Sequence, residues 1–336
     1  MKVIFENGVP FWLAHGGAQI QTEQTMAALR KLGVEVEPLR WWDATQSGDV
    51  LHYFGRIPIE QLRRAHQKRL RVVFSEFLGE QGARSTARLK LDKWLRVALS
   101  WTLPRRAVSA FDWESYTEAD ACMALTNWEA RLLAEVCRVP ASRIHVIPNG
   151  VEDVFLESRP VPRGNWLVCT AAINAQKRVV ELAQAALAAR TPLWVIGKPY
   201  SDAEIAVQRF LSLAKVNPGL VRYEGPVQDR AQLARIYREA RGFVLLSTFE
   251  SLSLSALEAA ACQCPLLLSD LPWARTTFGN AATYCPLNGS AEATGRVLRR
   301  FYDAAPALPV PSRPLSWADV GRKLEAIYKS VLDHPN

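Results

Sequence analysis

"GFVLLSTFESLSLSALEAAACQCPLLLSD", residues 242–270, decides how the rest of the chain is read. "GFVLLST" is a continuous apolar run, the pattern of a strand buried on both faces. "PLLL" is a second such run, and the segment between them reads as a helix. Strand, helix and strand make the repeating unit of a parallel α/β sheet. Two carboxylates, Glu250 and Glu258, interrupt residues that otherwise read as core. On one continuous helix they would lie about 80° apart. If the helix starts near Ser253 to Ser255, Glu250 falls in the loop and Glu258 in the first turn or two. Both then face one crevice at the carboxyl end of the sheet, where such sheets bind ligands. The helix N-terminus between them offers free N–H groups and a positive dipole end, a seat for phosphate. The set suits a nucleotide-diphosphate sugar: amides for the diphosphate, one carboxylate for the ribose and the other for the sugar hydroxyls. A second reading stands beside it. Ser255 and Glu258 spell S-x-x-E, a plain capping box.

The alternation continues outward. "KVIF", "VLHYF", "RVVF", "CMAL", "RIHVI", "WLVCTA" and "PLWVIG" are further buried-strand runs. Between them lie helical patterns. In "AQIQTEQTMAALRKLG", Ala18, Thr22, Met26, Leu29 and Leu32 keep helical spacing, and Gly33 suits the stop. "RVVELAQAALAAR" and "RAQLARIYREAR" behave alike. The strands are too many for one doubly wound sheet, so the reading is α/β with two parallel sheets. The boundary falls in "VEDVFLESRPVPRGN", rich in Pro and charge. It separates an N-terminal domain, 1–155, from a C-terminal one, 156–315. After the Pro-rich "APALPVPSRP" comes a last helix, 316–336, opening on Ser316 and Asp319.

The length of 336 residues agrees with two domains, and 49% apolar with 22% charged residues is a globular mix. "MKVIFENGVPFW" is broken by Glu6, Asn7 and Pro10 and does not read as a signal peptide. No apolar run approaches the roughly 18 residues of a membrane span. The six cysteines show neither C-x-x-C nor zinc spacing, so buried reduced thiols in a cytoplasmic protein are expected. The net charge of +8 is concentrated: residues 61–106 carry twelve Lys/Arg against three Asp/Glu. One basic region argues for a local anionic partner and against a general nucleic-acid binder.

Glu250-x7-Glu258 followed by Ala259 resembles the signature of the retaining glycosyltransferases of family 4. Other landmarks of that family follow in order: His15-Gly16-Gly17, "ADACMALTNWEARLLAE", "RIHVIPNGVE", "TAAINAQKRVVELAQAA" with Lys177, "LWVIGKP" and "RYEGPV". The resemblance implies the GT-B fold, two Rossmann-like domains facing each other across a cleft. The N-terminal domain would hold the acceptor and be completed by the last helix; the C-terminal domain would hold the donor. It implies donor contacts from Gly16, Gly17, Lys177, Arg178, Gly197, Val227, Glu250, Ser251, Leu252, Ser253, Leu254 and Glu258. Lys177 would neutralise the leaving diphosphate, and Glu250 would act on the sugar. Glu76 stands at the strand end where the family often carries a histidine; a sugar contact and an exposed loop carboxylate both remain open there. Retention would follow from the leaving phosphate helping to deprotonate the acceptor on the same face. The chain departs from the pattern at three places: Ser251 and Ser253 replace glycines, Ala172 replaces an arginine, and Gln263 replaces a glycine.

The chain contains no D-x-D, so no metal is expected, and Lys177 with helix dipoles would do the work of a cation. The only co-substrate implied is the nucleotide-diphosphate sugar, UDP- or GDP-linked, with a sugar, glycan, lipid-linked or small-molecule acceptor. Two other readings remain: a catalytically weak sugar-nucleotide-binding homologue or partner subunit, and a nucleotide-sugar epimerase. Residues 84–106 carry a further expectation. In "RLKLDKWLRVALSW", Leu91, Trp94, Leu95, Ala98 and Trp101 share one helical face, Lys93 and Arg96 lie opposite, and Arg84, Arg105 and Arg106 flank it. A core-packing helix with a solvated basic back is one reading. A peripheral contact with an anionic membrane is the other, because interfacial helices pair Trp and Leu with Lys and Arg.

Overall fold

Twelve strands form two six-stranded parallel sheets in the computed structural model, which describes residues 1–8, 11, 16–75, 79–84, 86–100, 114–157, 159, 161–201 and 203–333. The first sheet is built from β1 (Lys2–Asn7), β2 (Glu35–Pro38), β3 (Val50–Phe54), β4 (Arg71–Ser75), β5 (Ala121–Ala124) and β6 (Ile144–Val146), in the order β2-β1-β3-β4-β5-β6. The second is built from β7 (Leu167–Thr170), β8 (Leu193–Ile196), β9 (Val221–Tyr223), β10 (Gly242–Leu245), β11 (Leu266–Ser269) and β12 (Thr283–Cys285), in the order β12-β11-β10-β7-β8-β9. Every recorded strand pair is parallel. Both halves are Rossmann-like. Met1–Ala14, Ala18–Asn149 and Trp317–Asn336 form one compact unit; His15–Gly17 and Gly150–Ser316 form the other.

Continuous apolar runs are what a sheet covered on both faces requires. Val3, Val72, Val73 and Phe74 in the first sheet are fully covered, as are Leu266, Leu267 and Leu268 in the second. Three strands fall outside the runs read from the sequence: β2, β9 and β12. All three are edge strands. An edge strand buries less and tolerates polar side chains, so "EVEP" and "TYC" carry no continuous apolar signal.

The helix Gly17–Lys31 forms where its spacing predicts, and Gly33 closes it at φ +81°. Its buried face is Gln21, Thr22, Thr25, Ala28 and Leu29 rather than the stripe through Ala18, Met26 and Leu32. The last helix, Trp317–Asp333, explains the turn. A Cβ on its Gly321 would stand 3.0 Å from the Ala28 Cβ, so two small residues let the backbones approach.

The same last helix is fastened by a buried polar chain. His52 in β3 is completely buried; its Nδ1 meets the Tyr328 hydroxyl and its Nε2 lies 2.7 Å from the Ser75 hydroxyl. Its ring stacks on Phe54 at 4.7 Å. Burial lowers the imidazole pKa to about 3. The unfolded chain takes up this proton near the ordinary value of about 6.5, so its share of stability is intact above that pH and is lost as pH falls towards 3. Between pH 7 and pH 5 the expected loss from this group is about 2 kcal/mol. Denaturant melts of wild type and His52→Gln at both pH values test it: the difference between their pH slopes isolates the imidazole, and equal slopes would refute the assignment.

Candidate active site

In the second sheet, the strand order reverses between β7 and β10, the point at which open α/β sheets form a ligand crevice beyond their carboxyl ends. The loops leaving these two strands carry Lys177 and Glu250. They are stitched together by backbone and side chain. Thr248 N–H donates to the Gln176 carbonyl at 2.9 Å, and Gln176 Nε2 donates to the Phe249 carbonyl at 3.0 Å. Lys177 N–H donates to Asn174 Oδ1 at 2.9 Å. This frame brings Lys177 Nζ into an ion pair with Glu250 Oε1. The lysine side chain is 19% exposed and the glutamate 11%, so the pair is sheltered yet open to a ligand.

The helix after Glu250 is Leu254–Ala261, capped by Ser253, whose hydroxyl accepts from the Ala256 N–H at 3.3 Å. The cap is Ser253, so Ser255 and Glu258 are not the capping box. A serine two residues earlier fixes the first turn, which leaves Glu258 in the second. There it is buried and paired with Arg230 Nη2, and its other oxygen accepts from the Tyr237 hydroxyl at 3.4 Å. Arg230 also donates from Nε to Glu152 at 2.7 Å. Burial pushes the Glu258 carboxyl up and Arg230 pulls it back; burial opposes the Arg230 charge, but Glu258 and then Glu152 raise its pKa.

The remaining expected residues take up places around these loops. Gly197 follows β8 at φ +152°. Leu252, Ser253 and Leu254 are buried between Glu250 and the helix, with Ser251 half-buried beside them. Val227 lies half-buried in the loop before the helix Arg230–Glu239. Gly16 and Gly17 group by contact with the second unit: a Cβ on Gly16 would lie 3.3 Å from the Tyr200 hydroxyl, and one on Gly17 3.7 Å from Leu254 Cδ1. Arg178 caps the helix Val179–Ala188 in a left-handed conformation, φ +51°. Its charge acts on Cys285, where burial raises the thiol pKa and Arg178 partly offsets it. Glu76 and His15 lie outside the described residues. Arg230 and Glu152 escaped the sequence reading. Their only signal was an arginine opening "RAQLARIYREAR" and an acid in "NGVEDV", neither of which names a partner.

Residues 164–303 match the family described as glycosyl transferases group 1, and residues 40–154 match glycosyltransferase family 4. Together the two matches mark the chain as a glycosyltransferase of the family 4, GT-B type. No curated protein matches its sequence. Solved structures share the GT-B fold at low identity. Anabaena HepE in complex with UDP has a TM-score of 0.70 at 13% identity, over 98% of this chain and 100% of that one. Sucrose-phosphate synthase from Thermosynechococcus elongatus has a TM-score of 0.68 at 16% identity, over 99% of each. A glycosyltransferase from Rickettsia africae has a TM-score of 0.67 at 14% identity, over 99% of this chain and 98% of that one. In this glycosyltransferase, the Lys177–Glu250 pair therefore sits on the switch point of a GT-B half.

Proposed function

We propose that this glycosyltransferase transfers a sugar from a nucleotide-diphosphate donor to a hydroxyl of a sugar, glycan, lipid-linked or small-molecule acceptor, with retention and without a metal ion. The observation that carries the reading is the Lys177–Glu250 pair at the β7/β10 switch point, beside the N-terminus of Leu254–Ala261. A donor diphosphate in that crevice would take the lysine and the positive N-terminal end of the helix Leu254–Ala261 as its partners. Glu250, released from Lys177, would accept hydroxyls of the donor sugar. Glu258 would serve the ribose by exchanging Arg230 for it. The leaving phosphate would take the acceptor proton, so the protein contributes positioning and electrostatics rather than a strong base. The C-terminal half receives the donor, and the N-terminal half the acceptor. UDP is the first nucleotide to try, because HepE was solved with it.

A second reading, a homologue that binds sugar nucleotides and turns them over poorly, is favoured by the engagement of Glu258 with Arg230 and Tyr237. One experiment separates the two. Incubated with UDP- and GDP-sugars in EDTA, the enzyme is expected to release the nucleotide and a sugar of unchanged anomeric configuration. Binding without release supports the second reading. Loss of turnover on adding EDTA would contradict the metal-free mechanism, and an inverted product would contradict retention.

The partner proposed for residues 84–106 is an anionic membrane surface, met from the cytoplasmic side. The helix Thr86–Ser100 is anchored by Leu89, buried against Leu132 and Val136. Leu91, Trp94 and Leu95 are 56%, 66% and 45% exposed, which favours a surface contact for these three over core packing. Trp101, Arg105 and Arg106 lie outside the described residues, as do the side chains of Lys93 and Arg96. Surface pairs Arg84–Asp92 and Lys90–Glu135 weaken the local charge little. No helix among the described residues is long and apolar enough to cross a membrane. The protein is expected to float with anionic vesicles, not with neutral ones, and to be released by salt. Recovery in the soluble fraction with both vesicle types would sink the proposal.

A further inference from the structure

Strand order in the first sheet turns between β1 and β3, the same kind of switch point that β7 and β10 make in the second. Glu6 and Tyr53 stand there. They are register partners in the β1–β3 ladder, so both side chains leave the same face of the sheet, one strand apart, a residue short of the carboxyl ends. Glu6 is 7% exposed and Tyr53 8%. Among the described residues, no hydrogen bond or ion pair reaches the Glu6 carboxyl or the Tyr53 hydroxyl. Both residues are largely covered and retain some exposure. The adjoining backbone is slim: a Cβ on Gly8 would lie 3.6 Å from the Tyr53 hydroxyl.

A buried carboxyl without a partner is costly and is normally paired. Here burial pushes the Glu6 pKa up, and burial followed by Glu6 pushes up that of Tyr53. Two neighbouring polar side chains have partners of their own: Asn7 donates to Thr22 at 2.7 Å, and His52 meets Ser75 on the opposite face of the sheet. A carboxyl can accept from two hydroxyls, and a phenol can donate to or accept from a third. With no cation paired to either group among the described residues, the two suit a neutral polyol and disfavour a phosphate or carboxylate.

We propose that Glu6 and Tyr53 form a subsite that binds hydroxyls of a neutral sugar acceptor. This rests on the reading that the N-terminal half receives the acceptor. The test is ligand-observed NMR of methyl glucoside, mannoside and galactoside with the full chain, in the presence of UDP and of GDP. At least one hexoside is expected to bind wild type. Glu6→Leu, which keeps the volume, should weaken that binding at least tenfold, and Tyr53→Phe about fivefold. Nucleotide affinity should be unchanged in both variants. The melting temperature of Glu6→Leu should hold or rise, because an unpaired buried carboxyl is removed. The proposal is overturned if no hexoside binds wild type, if the variants bind it equally well, or if Glu6→Leu melts lower and loses nucleotide. Donor hydrolysis by water is measured alongside. If hydrolysis persists while hexosides fail to bind, only this subsite is lost; if hydrolysis fails while hexosides bind, the donor reading is lost and the subsite stands.

Discussion

Lys177→Met is expected to slow sugar transfer by roughly 10²- to 10³-fold, the loss seen when one preorganised electrostatic donor is removed from a reacting oxyanion. Methionine keeps the unbranched stem and removes only the charge. The charge matters because bond cleavage leaves a diphosphate with an extra negative charge, and Lys177 is the cation fixed at the switch point of β7 and β10. The variant also strips Glu250 of its ion partner, so some stability should be lost for a reason unrelated to catalysis. Lys177→Met/Glu250→Gln separates the two effects. The double variant should recover melting temperature, because no unpaired charge remains, and should recover none of the rate. A single variant with normal turnover would show the pair to be structural only.

The sheets were legible because parallel strands covered on both faces must be apolar throughout, and "GFVLLST" and "PLLL" have no other economical reading. The edge strands β2, β9 and β12 were not, since an edge imposes no such demand. Placing Glu250 in a loop and Glu258 on the following helix needed only the strand and the serines. The partner of Glu258 could not be read. Arg230 lies 28 residues away on the helix Arg230–Glu239, and only the packed fold brings it close. The same holds for Glu6, which in the sequence merely breaks an apolar run; its partnership with Tyr53 comes from strand register. Gln263 shows the opposite case. It replaces the glycine common in the family, yet adopts φ +58°, the left-handed region where glycine costs least. The turn after the helix is kept, so this substitution changes strain rather than geometry.

Gly197→Ala is expected to destabilise the C-terminal half by more than about 3 kcal/mol, the scale of core disruptions with a specific steric cause. A Cβ there would stand 1.9 Å from the Ala171 carbonyl oxygen and 2.9 Å from its carbon. Both are backbone atoms, and neither loop can retreat. Ala171 N–H donates to Ile196 at 3.0 Å, Ile173 N–H donates to Lys198 at 3.1 Å, and the Tyr223 hydroxyl donates to the Gly197 carbonyl at 3.1 Å. Gly225→Ala is the control. Its φ is +83° with nothing within 4 Å of the added carbon, so it carries conformational strain without overlap and should cost about 1 kcal/mol. Equal losses in the two variants would mean the overlap relaxes freely and would refute the close approach. The larger loss at Gly197 should have a functional counterpart. The loop it presses against leads from β7 to Lys177, so whatever Gly197→Ala protein folds should bind nucleotide more weakly than the Gly225→Ala control.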